Sequence, residues 1–490
     1  MKKLNYTLGF LLLCTMMFTS CNDDTVPPGY YVKGDLEKVE AGADLAIKQA
    51  TIAQLGIPFD NYAEYNGPWV NYEGLPRYVV VPDSSGGIYV AWEDAPGING
   101  VYITHIIPSG SGYKMAGHFK VPGLRRLGGF ARDAESGQFY VITCQRKGIE
   151  VNEPNPYVYG FRLASITSQG QLDYLVNFPI KEDGDPLFAG TGRLAYLDGV
   201  LMYHFAVRSG GHQAGVFRVL HAENGESARQ GGTAHVYSQR LISDGEAFVE
   251  VVLGGGRTGV TLWRSVWSND ERIIKKPRRN IAFAGGAKLG AILATENGYM
   301  LSFITRDYRN GVDLPDGNRD GTPSRQAVVV HITKNLNDYY YGNLLDSNSY
   351  DIVVVDTELG NHNTSSFEID VTQANLNFHT RNHGLVWLSN FDNEEQAKRT
   401  KLVDIGSGRY MALWEHWPNE NNAFIDTWGI IIDEYGNTLK EAAPVADVKL
   451  TPNAEAFELG GKAAWMAGEN GKMVIYTVDE NYILTRHEFN

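Results

Sequence analysis

The chain has 490 residues, of which 43% are hydrophobic, and its formal net charge is −14 at pH 7. This length and composition are sufficient for a large folded core, in one domain or two. The acidic balance argues against nucleic-acid binding, because neutralising phosphates requires clustered Lys and Arg.

The first predicted element is an export signal over residues 1–20. Lys2 and Lys3 precede an apolar run at 8–18, and small residues then lead to Cys21. This layout resembles a bacterial lipoprotein signal, in which the cysteine becomes the lipid-bearing first residue, although Phe18 and Ser20 depart from the usual pattern. The run is about half as long as the ~20 apolar residues of a spanning helix. A signal that is cleaved without lipidation is the alternative.

Residues 21–70 are predicted to form the lipidated cysteine, a tether at Pro27-Pro28 and a segment that caps or closes the following domain. Apolar residues near helical spacing, including Val39, predict a short helix there. The acidic pair Asp23-Asp24 resembles the acidic patch of lipoproteins exported to the outer surface of Gram-negative cells. We therefore expect an outer-membrane lipoprotein exposed at the cell surface, with a periplasm-facing location as the alternative.

Cysteine usage excludes a disulfide within the mature domain. Cys14 leaves with the signal and Cys21 carries lipid, so Cys144 is left alone. It follows the apolar residues 141–143, which predicts a buried thiol near the end of a strand.

Residues 71–490 repeat one unit, in which two short apolar strands flank a turn that ends in Gly. The turns are Gly86-Gly87, Ser136-Gly137, Asp198-Gly199, Asn297-Gly298, Ser407-Gly408 and Asn470-Gly471, with Gly259 as a seventh candidate. Asn-Gly and Asp-Gly pairs favour hairpins because both central residues need positive φ. The 110 residues between Gly298 and Gly408 hold either two units or one unit with a long insertion.

Four-stranded units at this period predict an all-β fold, a β-propeller with seven blades, with six or eight as alternatives. A set of β-sandwich domains is the competing interpretation. The chain would end on the third strand of a blade at Phe489, so a strand from the N-terminal part could complete that blade and close the ring.

The lipoprotein-type signal and the hairpin rhythm together resemble uncharacterised Gram-negative surface lipoproteins with a β-propeller domain. This resemblance implies a lipid-anchored domain outside the cytoplasm, and it implies no particular activity.

In such a propeller the loops between second and third strands meet on one face, where binding residues concentrate. Aromatic rings beside charged groups are typical of sugar recognition, so we expect this face to capture a glycan or another nutrient ligand. The predicted ligand-binding residues are Trp92, Arg208, Arg264, Trp267, Tyr308, Trp414, His416 and Trp417. Each Trp could instead pack in the core, and His416 could be a hydrogen-bonded structural residue.

A calcium site is predicted at Asp316, Asn318 and Asp320. The segment 316–321 matches the opening of an oxygen-ligand calcium loop, with Gly at position six. Ala327 replaces the bidentate Glu at position twelve, which argues against an EF-hand. An ordinary Asp- and Gly-rich surface turn is the alternative to a Ca²⁺ site.

The absence of a nucleophile elbow, a zinc-protease motif and a dinucleotide fingerprint favours a binding protein over an enzyme. Such a protein could pass its cargo to an outer-membrane transporter. One alternative is a propeller glycoside hydrolase or lyase, which would use acids chosen from Glu93, Asp270, Asp307 and Glu415. The other is a lipoprotein that assembles the envelope through a protein partner.

Overall fold

The computed structural model describes residues 38–39, 78–93, 101–122, 126–146, 157–179, 187–209, 212–234, 236–254, 260–267, 273–275, 279–282, 288–306, 324–334, 386–392, 394–418, 423–452, 454–469 and 472–489. These residues form thirty β-strands and no helix. None of them therefore belongs to a helix that could cross a bilayer.

The first half of the described chain forms three blades. The first strand, β1, is Lys38–Val39. Blade 1 consists of β2 (Tyr78–Pro82), β3 (Ile88–Glu93), β4 (Val101–Ser109) and β5 (Gly112–Val121). Blade 2 consists of β6 (Arg126–Arg132), β7 (Phe139–Arg146), β8 (Tyr157–Ile166) and β9 (Leu172–Pro179). Blade 3 consists of β10 (Leu187–Leu197), β11 (Val200–Ser209), β12 (His212–His221) and β13 (Ser227–Ala234).

Four further blades follow. Blade 4 consists of β14 (Val236–Ser243), β15 (Phe248–Gly254), β16 (Val260–Trp267) and an outer strand in two pieces, β17 (Ile273–Lys275) and β18 (Arg279–Ala282). Blade 5 consists of β19 (Lys288–Ala294), β20 (Gly298–Arg306), β21 (Arg325–Thr333) and β22 (Val386–Trp387). Blade 6 consists of β23 (Glu395–Gly406), β24 (Arg409–Pro418), β25 (Asp426–Ile432) and β26 (Thr438–Ala446). Blade 7 consists of β27 (Phe457–Glu458), β28 (Ala463–Glu469), β29 (Lys472–Val478) and β30 (Leu484–Phe489).

The seven blades form a closed ring, which confirms the predicted seven-bladed β-propeller. Each blade is apolar on both faces, and seven clusters of buried side chains each join two neighbouring blades. Phe130 of blade 2, for example, shares a cluster with Ile103 of blade 1, and Phe248 of blade 4 shares one with Met202 of blade 3. Burying such side chains stabilises the fold by about 1.5–3 kcal/mol each.

Blades 7 and 1 meet through side chains, and no described strand belongs to both. The four strands of blade 7 all come from the C-terminal part of the chain, so the expectation that an N-terminal strand completes this blade is wrong. Tyr78 of blade 1 is buried at the seam, where its hydroxyl accepts a hydrogen bond from Met466 N at 3.1 Å and its ring meets Phe457 edge-on. The prediction of a helix is also wrong at Val39, because Lys38 and Val39 form a strand, β1, that pairs with the outer edge of β9.

Two of the predicted turns occupy other places in their blades. Asn470-Gly471 joins the second and third strands of blade 7, and Gly259 falls in the second-to-third connection of blade 4. The first hairpin of blade 4 turns at Gly245, and that of blade 7 turns at Gly460-Gly461, where both φ values are positive, as a tight hairpin requires. The long spacing before Gly408 is an insertion in blade 5, between β21 and β22.

The ring therefore has two distinct faces. The second-to-third connections and the links between blades lie on one, here called the loop face. The first-to-second and third-to-fourth turns lie on the other, called the turn face. The connections 94–100, 147–156, 210–211, 255–259, 307–323, 419–422 and 470–471 lie outside the described residues.

Cys144 is a free thiol buried near the end of β7, as predicted. Burial raises its pKa to about 12, so the thiol stays protonated and unreactive at neutral pH.

The seam between blades 7 and 1 gives a test of ring closure. Tyr78→Phe removes the acceptor of the buried Met466 N–H, and we expect the free energy of unfolding to fall by about 1–3 kcal/mol. Tyr435→Phe, in which an exposed hydroxyl is lost, is the matched control and should cost much less. Urea denaturation measures both, and equal losses would contradict a closing role for Tyr78.

Candidate functional site

Two of the predicted ligand-binding tryptophans lie in the core. Trp92 is fully buried, donates its Nε1–H to Thr104 Oγ1 at 2.9 Å and stacks on Tyr102. Trp414 is 1% exposed and packs between blades 5 and 6. The neighbouring Glu93 is also buried, and its carboxylate accepts a hydrogen bond from Leu127 N of blade 2. These three side chains hold blades together at positions where the sequence predicted contact with a ligand or substrate.

Arg264 and Trp267 lie at the opposite end of their blade from the predicted position. A first hairpin turn at Gly259 would make Val260 the start of a second strand, whereas β16 is the third strand of blade 4 and therefore runs towards the turn face. There Arg264 Nε lies 3.1 Å from Asp244 Oδ2 and 2.8 Å from the Tyr299 hydroxyl. The predicted convergence of Arg264 and Trp267 with the loop-face residues is therefore wrong.

Other predicted residues lie outside the described part of the chain. These are Asp270, Asp307, Tyr308 and the calcium-loop residues Asp316, Asn318 and Asp320. The backbone of Arg208 is described, paired with Gln213 at the loop-face end of β11, but its side chain is not. Within the described residues, no group of three or more His, Cys, Asp and Glu side chains is placed to hold a metal ion. The calcium site stays a prediction.

The end of β24 brings three predicted residues, Glu415, His416 and Trp417, to the loop face. The Glu415 carboxylate is fully buried. Its two oxygens, Oε1 and Oε2, each accept a hydrogen bond from Arg399 Nη1, at 2.9 and 3.0 Å. It also accepts hydrogen bonds from Trp417 Nε1 at 2.7 Å and Leu450 N at 2.8 Å. Burial raises the pKa of Glu415, and the Arg399 guanidinium offsets this only in part, so the pKa lies above its usual value.

Arg399 reaches Glu415 from a strained backbone position. It lies in a bulge of β23 with φ of +50°, a left-handed conformation that is uncommon for a residue with a side chain. Such strain clusters at functional sites, where surrounding contacts hold it in place.

Basic side chains surround Trp417. Lys398 Nζ lies 4.2 Å from the centre of a Trp417 ring, Lys449 Nζ lies at 5.1 Å and the Arg399 guanidinium carbon at 5.8 Å. The ring is consequently only 6% exposed. Cations attracted to an aromatic face form a recurrent binding arrangement, and here they place positive charge at the loop-face end of the innermost strand of blade 6.

His416 is held between two carboxylates. Its Nδ1 lies 3.0 Å from Asp426 Oδ1, its Nε2 lies 3.2 Å from Glu395 Oε2, and its ring stacks on Phe391. Because an acidic partner faces each ring nitrogen, the geometry suits a structural residue that orders this corner of blade 6.

A second cluster, which the sequence analysis missed, lies in the central channel. We call it the channel cluster; its members are Arg193 on β10, Arg240 on β14, Lys401 on β23 and Glu455, which precedes β27. Glu455 Oε1 lies 3.3 Å from Arg193 Nη2 and 2.8 Å from Arg240 Nε. Blade 7 is opposite blades 3 and 4 in the ring, so this carboxylate bridges the channel.

One segment, 447–456, in which residue 453 lies outside the described residues, joins the two clusters. Lys449 contacts Trp417 and Leu450 N binds Glu415 at the loop face. The same segment then enters the channel, where Lys401 Nζ donates to Ala454 O beside Glu455. We call the whole arrangement the channel site.

Acidic residues outnumber basic ones in the whole chain, but basic residues outnumber acidic ones on the innermost strands of the blades. The whole sequence has 43 Lys and Arg against 57 Asp and Glu. The first strand of each of the seven blades together contributes eight basic residues, Arg126, Arg132, Arg193, Arg240, Lys288, Lys398, Arg399 and Lys401, and three acidic ones, Glu395, Asp404 and Glu458. Among the described innermost strands, basic residues therefore outnumber acidic ones, and a local excess of one sign of charge attracts the opposite charge.

The fold is a seven-bladed β-propeller, and Arg193 and Arg240 of its innermost strands meet Glu455 in the channel. The sequence matches no protein family, and no curated protein matches it either. Solved structures with a similar fold include hydrazine synthase from Kuenenia stuttgartiensis, with a TM-score of 0.42 and 9% identity over 87% of this chain and 99% of that chain. TolB from Acinetobacter baumannii has a TM-score of 0.34 and 11% identity over 93% and 97% of the two chains. An endo-arabinase from Bacteroides thetaiotaomicron VPI-5482 has a TM-score of 0.27 and 9% identity over 75% and 94%. Similarity at this level carries no argument about function.

The interaction of Arg264 with Asp244 predicts a pH-dependent stability. Burial raises the pKa of Asp244, but hydrogen bonds from Tyr299 and two backbone N–H groups, together with Arg264, lower it below its usual value. A carboxyl whose pKa is lowered by folding stabilises the fold above its unfolded pKa of about 4, and this stabilisation is lost as the pH falls through the lower folded pKa.

Asp244→Asn should therefore reduce the free energy of unfolding by about 1–3 kcal/mol at pH 7 and by clearly less below pH 3. Asp404→Asn, which changes an exposed carboxylate near the end of β23, is the control. Urea denaturation at pH 7 and at about pH 2 measures the difference, and a loss that is the same at both pH values would count against this assignment.

Proposed function

We propose that this protein is a lipid-anchored binding protein of the outer membrane that captures a glycan or another nutrient ligand on its loop face. The observation that carries the proposal is the channel site, where Lys398, Arg399 and Lys449 surround Trp417 at the loop face. Aromatic and charged groups on a rigid scaffold are suited to binding a polar ligand.

The anchor is proposed at Cys21, followed by the tether at Pro27-Pro28. It would keep the propeller at the cell surface, where the bound ligand could be transferred to an outer-membrane transporter. The bound ligand and the transporter are both part of the proposal, as is the Ca²⁺ site at Asp316, Asn318 and Asp320.

The enzymatic alternative, a glycoside hydrolase or lyase, requires an acid that can reach a substrate. Of the four acids predicted for that role, Glu93 and Glu415 are buried, and Glu415 is bound to Arg399. Their geometry supports a structural or positioning role for these two acids, while Asp270 and Asp307 lie outside the described residues. The alternative of an envelope-assembly lipoprotein predicts a co-purifying protein partner and no affinity for a small ligand.

Ligand binding beside Trp417 is tested by removing the two lysines that contact its ring. The double variant Lys398→Ala/Lys449→Ala should bind the best ligand of a glycan array about tenfold more weakly or worse, a loss of about 1.4 kcal/mol or more. The matched control is Lys114→Ala/Lys334→Ala, which removes two exposed lysines on β5 and after β21. Calorimetry measures both, and equal affinity of the two variants would refute the proposed site. Release of cleaved glycan by the unmodified protein would instead support the enzymatic alternative.

Lipidation is tested by Cys21→Ser. We expect this variant to lose incorporation of a labelled fatty acid and to leave the membrane fraction, because a lipid chain supplies membrane affinity. Cys14→Ser, which changes a cysteine within the signal, should keep both. Membrane attachment of the Cys21→Ser variant would contradict the anchor.

A further inference from the structure

We infer that the Arg193–Arg240 pair is a receptor for a carboxylate, and that Glu455 occupies it when no ligand is bound. The ligand of the loop face would then carry an acidic group, such as the carboxylate of a uronic acid, that displaces Glu455 in the channel. This inference rests on the proposed function and names the class of ligand.

The two guanidinium groups are held in place before any ligand arrives. Arg240 donates hydrogen bonds to the carbonyl oxygens of Gly290, Leu289 and Gln239, and Arg193 donates to its neighbour Gly192. Both side chains are nearly buried, with exposures of 4% and 8%. Rigid, desolvated donors bind an anion without the entropy cost of ordering them.

The contacts between Glu455 and the arginines use one of its two carboxylate oxygens. Both arginines contact the same oxygen, Oε1. The other oxygen, Oε2, is buried and has no hydrogen-bond donor among the described residues. Arginine binds carboxylate best through two parallel hydrogen bonds, one to each oxygen. A carboxylate that is not attached to segment 447–456 can turn to use both oxygens, so a ligand can improve on the internal contact.

Glu455 is also the accessible member of the channel cluster. Its side chain is 38% exposed, in contrast to the arginines. Segment 447–456 carries it from the loop face, where the same segment contacts Trp417 through Lys449. Displacement of Glu455 therefore requires a change in one connecting segment and leaves the inner strands in place.

The first experiment is chemical rescue. Glu455→Ala should lower the melting temperature, and formate should restore about half or more of the loss relative to chloride at equal ionic strength, because a bound anion stabilises the native state. Glu480→Gln, which removes an exposed partner of Arg409, is the control and should show no effect specific to formate. If Glu455 is only a brace across the channel, formate and chloride will act alike, and the inference is overturned.

The second experiment titrates trigalacturonate and its methyl ester into the wild type, Glu455→Gln and Arg240→Gln. The acid should bind Glu455→Gln about tenfold more tightly than wild type, because an internal competitor has been removed, and Arg240→Gln more weakly. The neutral ester should not distinguish Glu455→Gln from wild type. Equal affinities of the acid for wild type and Glu455→Gln would overturn the inference.

The two failures are distinguishable. Formate rescue without binding of any sugar would retain the carboxylate receptor and remove the glycan function. If the sugar binds with the same affinity to wild type and to the Glu455 and Arg240 variants, and formate restores no stability, the proposed function is retained and the carboxylate receptor is rejected.

Discussion

Everything in this fold depends on seven strands running side by side around one axis. Their backbones approach so closely that a Cβ added at Gly192 would lie 2.2 Å from the carbonyl oxygen of Gly128 in the next blade. Only small residues or side chains that point along the axis fit there. The long side chains of Arg193 and Arg240 satisfy this constraint by lying against backbone carbonyls, which are abundant where strands converge.

This close approach of the inner strands explains how two buried arginines, Arg193 and Arg240, are accommodated in the channel. A buried guanidinium is costly unless it is hydrogen-bonded and paired. The carbonyls of the inner strands supply the hydrogen bonds, and Glu455 supplies the charge from the opposite side of the ring. The described innermost strands of an acidic protein thus carry more basic than acidic residues. The two clusters form one site because segment 447–456 contacts both.

The seven-bladed ring could be predicted from the sequence because glycine turns recur once or twice in every blade. The assignment of turns failed in blades 4 and 7, since Gly259 and Asn470-Gly471 also lie between antiparallel strands, and a turn signal does not say which pair of strands it joins. Arg264 was consequently placed on the wrong face. The loop-face position of Glu415 and Trp417 could be predicted because both lie at the end of a recognisable strand.

The channel cluster could not be predicted in the same way. Glu455 and Arg193 are 262 residues apart, and only closure of the ring brings them together. One local signal was available, a basic residue inside an apolar inner strand, as in Gly192-Arg193-Leu194 and Thr400-Lys401-Leu402. A charged residue at such a position is seldom buried unless it is paired, so it predicts an ionic partner without identifying it.

The most direct measurement is a crystal structure of the mature chain grown with glucuronate. We expect a sugar carboxylate within hydrogen-bonding distance of both Arg193 and Arg240, with Glu455 turned out of the channel. Glu455 still bound to both arginines, with the sugar absent or bound elsewhere, would contradict it.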